Sequence, residues 1–209
     1  MPRGPFISLD GLDGTGKSTQ CRLLADWLRA RGLEVTECAD PGGTPVGDVI
    51  RTLLLDHRRE MSLPCESLLF MASRAQLTAE VIRPALDAGR AVVSDRFLLA
   101  NIVYQGHAGG LDRDQLYALG KLATGGLEPD LTVVLDLAVD AARARIKGPA
   151  DRLESRAAGY HARVREGFLV EARHCPERIR VVDAGQPIAA VHELICQEVS
   201  RVLAAGART

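Results

Sequence analysis

Nine residues near the start of the chain, GLDGTGKST at positions 11–19, have the types and spacing needed to hold a polyphosphate. Gly11, Gly16, Lys17 and Ser18 fit the pattern G-x-x-x-x-G-K-[ST]. An anion with several oxygens is held best by backbone N–H groups that all point inward. A chain wraps that closely only where side chains are small, so Gly11, Gly14 and Gly16 are expected where a Cβ would obstruct. A helix that follows presents its first N–H groups and its positive dipole end to the same phosphates. Lys17 then reaches the terminal oxygens, and the Ser18 hydroxyl is placed to hold a magnesium ion. Leu12, Asp13, Thr15 and Thr19 complete the loop. Asp13 is unexpected there, because a carboxylate beside phosphates is unfavourable unless it meets a hydroxyl, a metal or a cation.

Other chemically capable residues fall at the ends of apolar runs or on one helical face. Asp95 closes the run AVVSD, and Arg96 follows it directly. That pair suits a metal–phosphate on one side and a second phosphate on the other. Asp136 closes LTVVLD with the same credentials; the neighbouring Arg96 favours Asp95 as the metal-associated carboxylate. Phe70 and Arg74 stand four apart on a helical run and share a face. There a ring can stack on a nucleobase while a guanidinium bonds its carbonyl edge. Arg143, Arg145, Lys147 and Arg152 surround KGPADR, a cationic segment able to close over a transferring phosphate. On spacing alone, core packing for the first pair and a solvated charged face for the arginines stay open as alternatives.

These residues need elements that carry them to one place. Apolar runs predict strands at Phe6–Asp10, Leu33–Cys38, Ala91–Asp95, Leu131–Leu137 and around Arg180–Val182. Between them lie helical patterns. The first is Lys17–Arg31, with Leu23, Leu24, Trp27 and Leu28 as its stripe and Gly32 as its stop. Others run at about 46–56, at about 66–88 with Pro84 as a kink or stop, and at Leu98–Gln105 and Asp112–Ala123. The last three are Val139–Ile146, Leu153–Arg173 with weak interruptions at Gly159 and Gly167, and about 188–203. Strands alternating with helices mean an α/β fold, a three-layer sandwich with a five-stranded parallel sheet and right-handed crossovers. Residues 1–209 read as one domain, without repeats or linkers. In such a sheet ligands bind beyond the carboxyl ends of the strands, where the phosphate loop, Asp40 in ADPGGTP, Asp95–Arg96, Asp136 and the DAGQP turn all emerge.

Composition narrows the partners. The formal net charge of −1 gives no electrostatic reason to expect nucleic acid or a membrane surface. Aromatic residues are only 4% of the chain, so aliphatic side chains must fill the core. The five cysteines are scattered with no C-x-x-C pair, so a cytoplasmic, reduced setting fits better than a disulfide framework or a zinc site. MPRGPF is too short and polar for a signal peptide, and no apolar run has transmembrane length.

Five segments, GLDGTGKST, DPGGTPVGDVIRTLLLD, LLFMASRAQ, DRFLLANIVYQG and DRLE, follow one another in the order and spacing of bacterial thymidylate kinases. The resemblance runs from Phe6 to about Leu203. It implies a P-loop nucleoside-monophosphate kinase with a lid at about 147–153, a homodimer, Mg²⁺, and the substrates ATP and dTMP. By that resemblance ATP would lie on residues 11–19, with Ser18 and Asp95 at the metal. Phe70 would stack on thymine and Arg74 would bond its carbonyl oxygen; Asn101 and Gln105 would line the base pocket. Arg51 and Arg96 would hold the acceptor phosphate, with Asp40 also in the dTMP site. Asp13 would reach the 3′-hydroxyl and Tyr104 would sit against the 2′ position. The groups acting in transfer would be Lys17, Arg96, Asp13 and the lid residue Arg152, with DAGQP near adenine.

Overall fold

A computed structural model of the chain describes residues 3–56, 58–146, 152, 156 and 158–206. Five strands, β1 (Phe6–Gly11), β2 (Val35–Ala39), β3 (Ala91–Asp95), β4 (Leu131–Asp136) and β5 (Ile179–Asp183), form one sheet in the order β2-β3-β1-β4-β5. Every pairing is parallel. The central strand β1 is buried along its whole length, which is why its sequence lacks clean alternation. Its register sets Leu9 beside both Asp95 and Val133, so the loops after β1, β3 and β4 open at one rim.

The helices are α1 (Lys17–Arg29), α2 (Pro45–Leu55), α3 (Leu63–Leu77), α4 (Arg83–Asp87), α5 (Leu98–Asn101), α6 (Arg113–Thr124), α7 (Val139–Arg145), α8 (Ala158–His174) and α9 (Ile188–Gly206). Alternate residues of the strands serve two layers. Ile7 and Leu9 share a cluster with Leu24 and Leu28 of α1 and with Ile195 and Val199 of α9. Phe6 and Val92 join Leu77, Ile82, Leu86 and Phe97 in another. The Phe6 and Phe97 rings meet edge to face at 5.0 Å. This is the α/β sandwich that the strand–helix alternation implies.

Several boundaries differ from the sequence expectation. α3 starts at Leu63, not near Glu66, because Ser62 caps it, accepting from the Cys65 N–H, and Pro64 stands in the first turn. α1 ends at Arg29 rather than Arg31. The expected long helix over 66–88 is continuous, but residues Thr78–Ile82 are wound as a π turn directly ahead of Pro84. The wider turn accommodates a ring that offers no N–H. A second π turn, Ile102–His107, extends α5 where one plain helix is expected. Gly167 does not interrupt α8; a Cβ there would lie 2.8 Å from the Cβ of His107, so the glycine permits close packing. The expected lid at 147–153 and the expected start of a helix at Leu153 lie outside the described residues, apart from Arg152.

Candidate active site

The loop after β1 takes its shape from glycines, for two different reasons. At Gly14 φ is +83°, and a Cβ would lie 2.1 Å from the Ala142 carbonyl oxygen of α7. Gly11 is likewise blocked, by the Leu135 carbonyl at 2.5 Å. At Gly16 nothing lies within 4 Å; there the left-handed φ of +94° demands glycine. At Gly11 and Gly14 a Cβ would be obstructed by the protein itself, whereas at Gly16 the space is open toward the cavity and the backbone conformation is what requires glycine. The obstruction comes from protein carbonyls. Thr15 is buried and donates to the Leu12 carbonyl, closing the loop.

Lys17 is buried at the first position of α1, donating from Nζ to the Leu12 carbonyl at 2.8 Å and approaching Asp13 at 3.4 Å. Burial and the Arg96 charge push its pKa down. Ser18 Oγ donates to Asp95 Oδ2 at 2.6 Å, which sets two hard oxygen donors side by side at the loop mouth. Asp136, the other candidate for that role, accepts Arg165 Nε and Nη2 at 2.7 and 2.8 Å instead. Among the described residues no cluster of three or more His, Cys, Asp or Glu side chains is disposed to hold a metal. A magnesium ion here would take Ser18, Asp95, phosphate and water, a set that fits the ion's preference for few protein carboxylates.

Arg96 joins the loop to the second half of the site. Its φ is +70°, a left-handed conformation rare for a non-glycine residue. The Ser94 hydroxyl donates to its carbonyl at 2.6 Å and helps hold that turn. The guanidinium donates to the Gly11 carbonyl at 2.8 Å, to Asp13 Oδ1 at 2.6 Å and to the Tyr104 hydroxyl at 3.2 Å. Lost hydration pushes the Asp13 carboxyl up, but Arg96 and Lys17 pull harder and hold it well below the usual range. The charge that looked out of place thus meets two cations.

Asp10 was not singled out from sequence. It is fully buried, both carboxyl oxygens lack a hydrogen-bond partner, and Arg96 Nη1 stands 3.9 Å away. Burial pushes its pKa up to about 7, against the opposing pull of Arg96 and Lys17.

A cavity of about 790 Å³ takes in the phosphate loop from Asp13 to Thr19 together with Asp95 and Arg96. It continues past Arg51, Phe70 and Arg74 to Asn101, Tyr104 and Gln105. Phe70 is half-buried on the same face of α3 as Arg74, as the four-residue spacing suggested. Arg74, which is 1% exposed, donates to Asp40 Oδ2 at 2.6 Å, to Asn101 Oδ1 at 3.0 Å and to the Phe97 carbonyl at 3.4 Å. Arg51 donates to the Pro41 carbonyl at 2.7 Å. At the far end the cavity reaches Gln186, Pro187 and Ile188, with Arg145 donating to the Ala184 carbonyl. The arginine cluster around KGPADR was the signal for Arg145.

Gly11, Leu12 and Arg152 are not part of the cavity wall. Arg152 donates to the Leu54 carbonyl at 2.8 Å and pairs with Glu66 Oε2 at 2.6 Å. Glu66 has no solvent exposure and also receives Arg156 at 2.6 Å and Gln105 at 2.8 Å. Nothing in the sequence marked it.

The thymidylate kinase family model matches residues 9–195. A thymidylate kinase of Rhodopirellula baltica is 46% identical over 192 residues, covering 92% of this chain and 78% of that one. One from Symbiobacterium thermophilum is 46% identical over 200 residues, covering 95% and 94%. The crystal structure of thymidylate kinase from Ehrlichia chaffeensis superposes with a TM-score of 0.79 at 30% identity, over 95% of this chain and 99% of that one. With sequence agreement along most of its length and the same backbone beneath it, this chain belongs to the thymidylate kinase family.

Proposed function

We propose that the chain transfers the γ-phosphoryl group of ATP to dTMP, giving dTDP and ADP. Membership of the family supports the reaction. The observation that carries the site assignment is a single cavity holding both the phosphate loop and the Phe70–Arg74 face, with Arg96 between them. That is room for two nucleotides whose phosphates meet.

The acceptor is a phosphate monoester with a second pKa of about 6, so it is largely dianionic at neutral pH and needs no general base. The protein's task is to place two anions in line and cancel their repulsion. Lys17 exchanges the Leu12 carbonyl for the β and γ oxygens of ATP, residues 11–19 cradling the rest. Arg96 and Arg51 hold the acceptor phosphate, while Asp13 braces Arg96 and receives the 3′-hydroxyl. Ser18 and Asp95 would hold Mg²⁺, which when bound neutralises the β and γ oxygens. Phe70 stacks on the base, Arg74, Asn101 and Gln105 read its edge, Asp40 orients Arg74, and Tyr104 excludes a 2′-hydroxyl. Arg152 acts as the transition-state cation after a lid at about 147–153, part of one kinase domain, carries it away from Glu66.

The chain works as a homodimer, supported by exposed Val46 and Val49 on α2 beside exposed Leu68 on α3. A cytoplasmic setting without nucleic acid is supported by free thiols at all five cysteines and by the near-neutral charge. Among the described residues no helix is long and apolar enough to cross a membrane.

The test is ADP release with ATP and each nucleoside monophosphate, alongside thymidine. Turnover with dTMP is expected. Consumption of thymidine instead would identify a nucleoside kinase, with Asp40 or Asp95 as base, and overturn the proposal.

A further inference from the structure

We propose that Glu66 is a positioning residue that fixes which hydrogen-bonding pattern the base pocket presents, and so selects keto pyrimidines over cytosine. The proposal rests on the base-pocket reading above and adds a residue that does not line the cavity.

The argument is an accounting of donors and acceptors along one buried chain. Glu66 lies between two guanidiniums, Arg152 and Arg156, each 2.6 Å from Oε2. A carboxylate so placed accepts and does not donate. Its Oε1 therefore compels Gln105 to turn its N–H₂ group inward, at 2.8 Å. Gln105 Oε1 is then the acceptor for Asn101 Nδ2, also at 2.8 Å. The second Asn101 N–H goes to Ser67 Oγ at 3.2 Å. Both Asn101 hydrogens are thus spent inside the protein. Asn101 Oδ1 takes Arg74 Nη1 at 3.0 Å and keeps one lone pair.

What Asn101 can offer a ligand in the cavity is consequently an acceptor, next to N–H donors of Arg74 and Gln105. A keto pyrimidine such as thymine presents N3–H beside a carbonyl oxygen, which matches. Cytosine presents a bare N3 beside an amino group, the inverse, and would leave buried polar groups unpaired. Glu66 holds this polarity from two residues away and Arg74 holds it from the cavity side, so the amides between them satisfy both ends in only one orientation.

In Glu66→Gln the amide oxygen stays with the arginines and its N–H₂ meets the Gln105 N–H₂, while Arg74 still holds Asn101, so the two ends of the chain conflict and the amides between them lose their single orientation. Initial rates with ATP are measured for dTMP and dCMP in wild type, Glu66→Gln and Glu66→Asp. The Glu66→Asp variant keeps a carboxylate for the arginines but draws the acceptor back from Gln105, so it decides the matter if Glu66→Gln fails to fold. The expected result is a fall of about tenfold or more in the dTMP:dCMP ratio of kcat/KM, carried by KM for the monophosphate, with KM for ATP within about twofold. Equal losses for both monophosphates would show a merely structural role and overturn the proposal. A wild-type enzyme that fails to discriminate dTMP from dCMP would overturn the base-pocket reading as well.

Discussion

Arg96 Nη2 donates to Asp13 Oδ1 across 2.6 Å, while Nη1 of the same guanidinium donates to the Gly11 carbonyl at 2.8 Å. The cation assigned to the acceptor is therefore braced on the loop assigned to the donor. Neither half of the site is positioned independently of the other. The brace also accounts for the backbone of Arg96, held at a φ of +70°.

Side chain and backbone of Arg96 separate experimentally. Arg96→Ala and Arg96→Gly are both expected to lose about 10³ in kcat, the scale of removing a charge clamp on a transferring phosphate. Arg96→Gly should nonetheless be the more stable of the two by about 1 kcal/mol, since only glycine takes the left-handed conformation without steric cost. Urea denaturation of the pair measures it.

Asp10 predicts a pH dependence of stability. Its carboxyl is pushed up to about 7 by burial, above the ordinary 3.8. A raised acid favours the folded state below its unfolded value and loses that contribution as pH climbs through the folded one. Asp10→Asn does not titrate, so its melting temperature should gain on wild type between about pH 4 and pH 7 and level off above that. Parallel melting curves across that range would contradict the assignment.

The Asp40–Arg74 pair is buried on both sides, at 0% and 1% exposure of the side chains. Asp40→Ala strands a buried guanidinium and should cost about 3–5 kcal/mol in unfolding free energy. Adding Arg74→Met should restore part of that loss, because the pair is worse broken than absent. Activity should stay low in the double variant, which lacks the group assigned to the base.

Asp95 and Asp136 part company on magnesium. Ser18→Ala and Asp95→Asn should raise the Mg²⁺ concentration for half-maximal activity about tenfold or more. Asp136→Asn should leave it within about twofold, since that carboxylate is committed to Arg165. A magnesium titration of initial rates distinguishes them.

Much of the scaffold was legible because its signals are local. The run Ala91–Asp95 is apolar, bounded by polar residues, and matches the observed strand end to end. The phosphate loop and the Phe70–Arg74 face were legible for the same reason. Glu66 was not, because its partners Gln105 and Arg156 stand 39 and 90 positions away and a lone glutamate early in a helix reads as a cap. Asp10 was read as the end of a strand; its isolation depends on how Arg96 folds over it. The π turns left no trace in composition, since a wider turn uses the same residue types as an ordinary one.

The turn at Ile102–His107 makes length, and not identity alone, a constraint on this enzyme. Remove one residue between Asn101 and His107, and the backbone would relax to ordinary winding. Side chains beyond the turn would keep their faces, because the wider winding had absorbed the lost residue, while those inside it would rotate to ordinary helical spacing. Tyr104 and Gln105, inside the turn, would lose their present directions in the cavity wall with their chemistry intact. Variation along that stretch is therefore free to exchange letters but not to drop them.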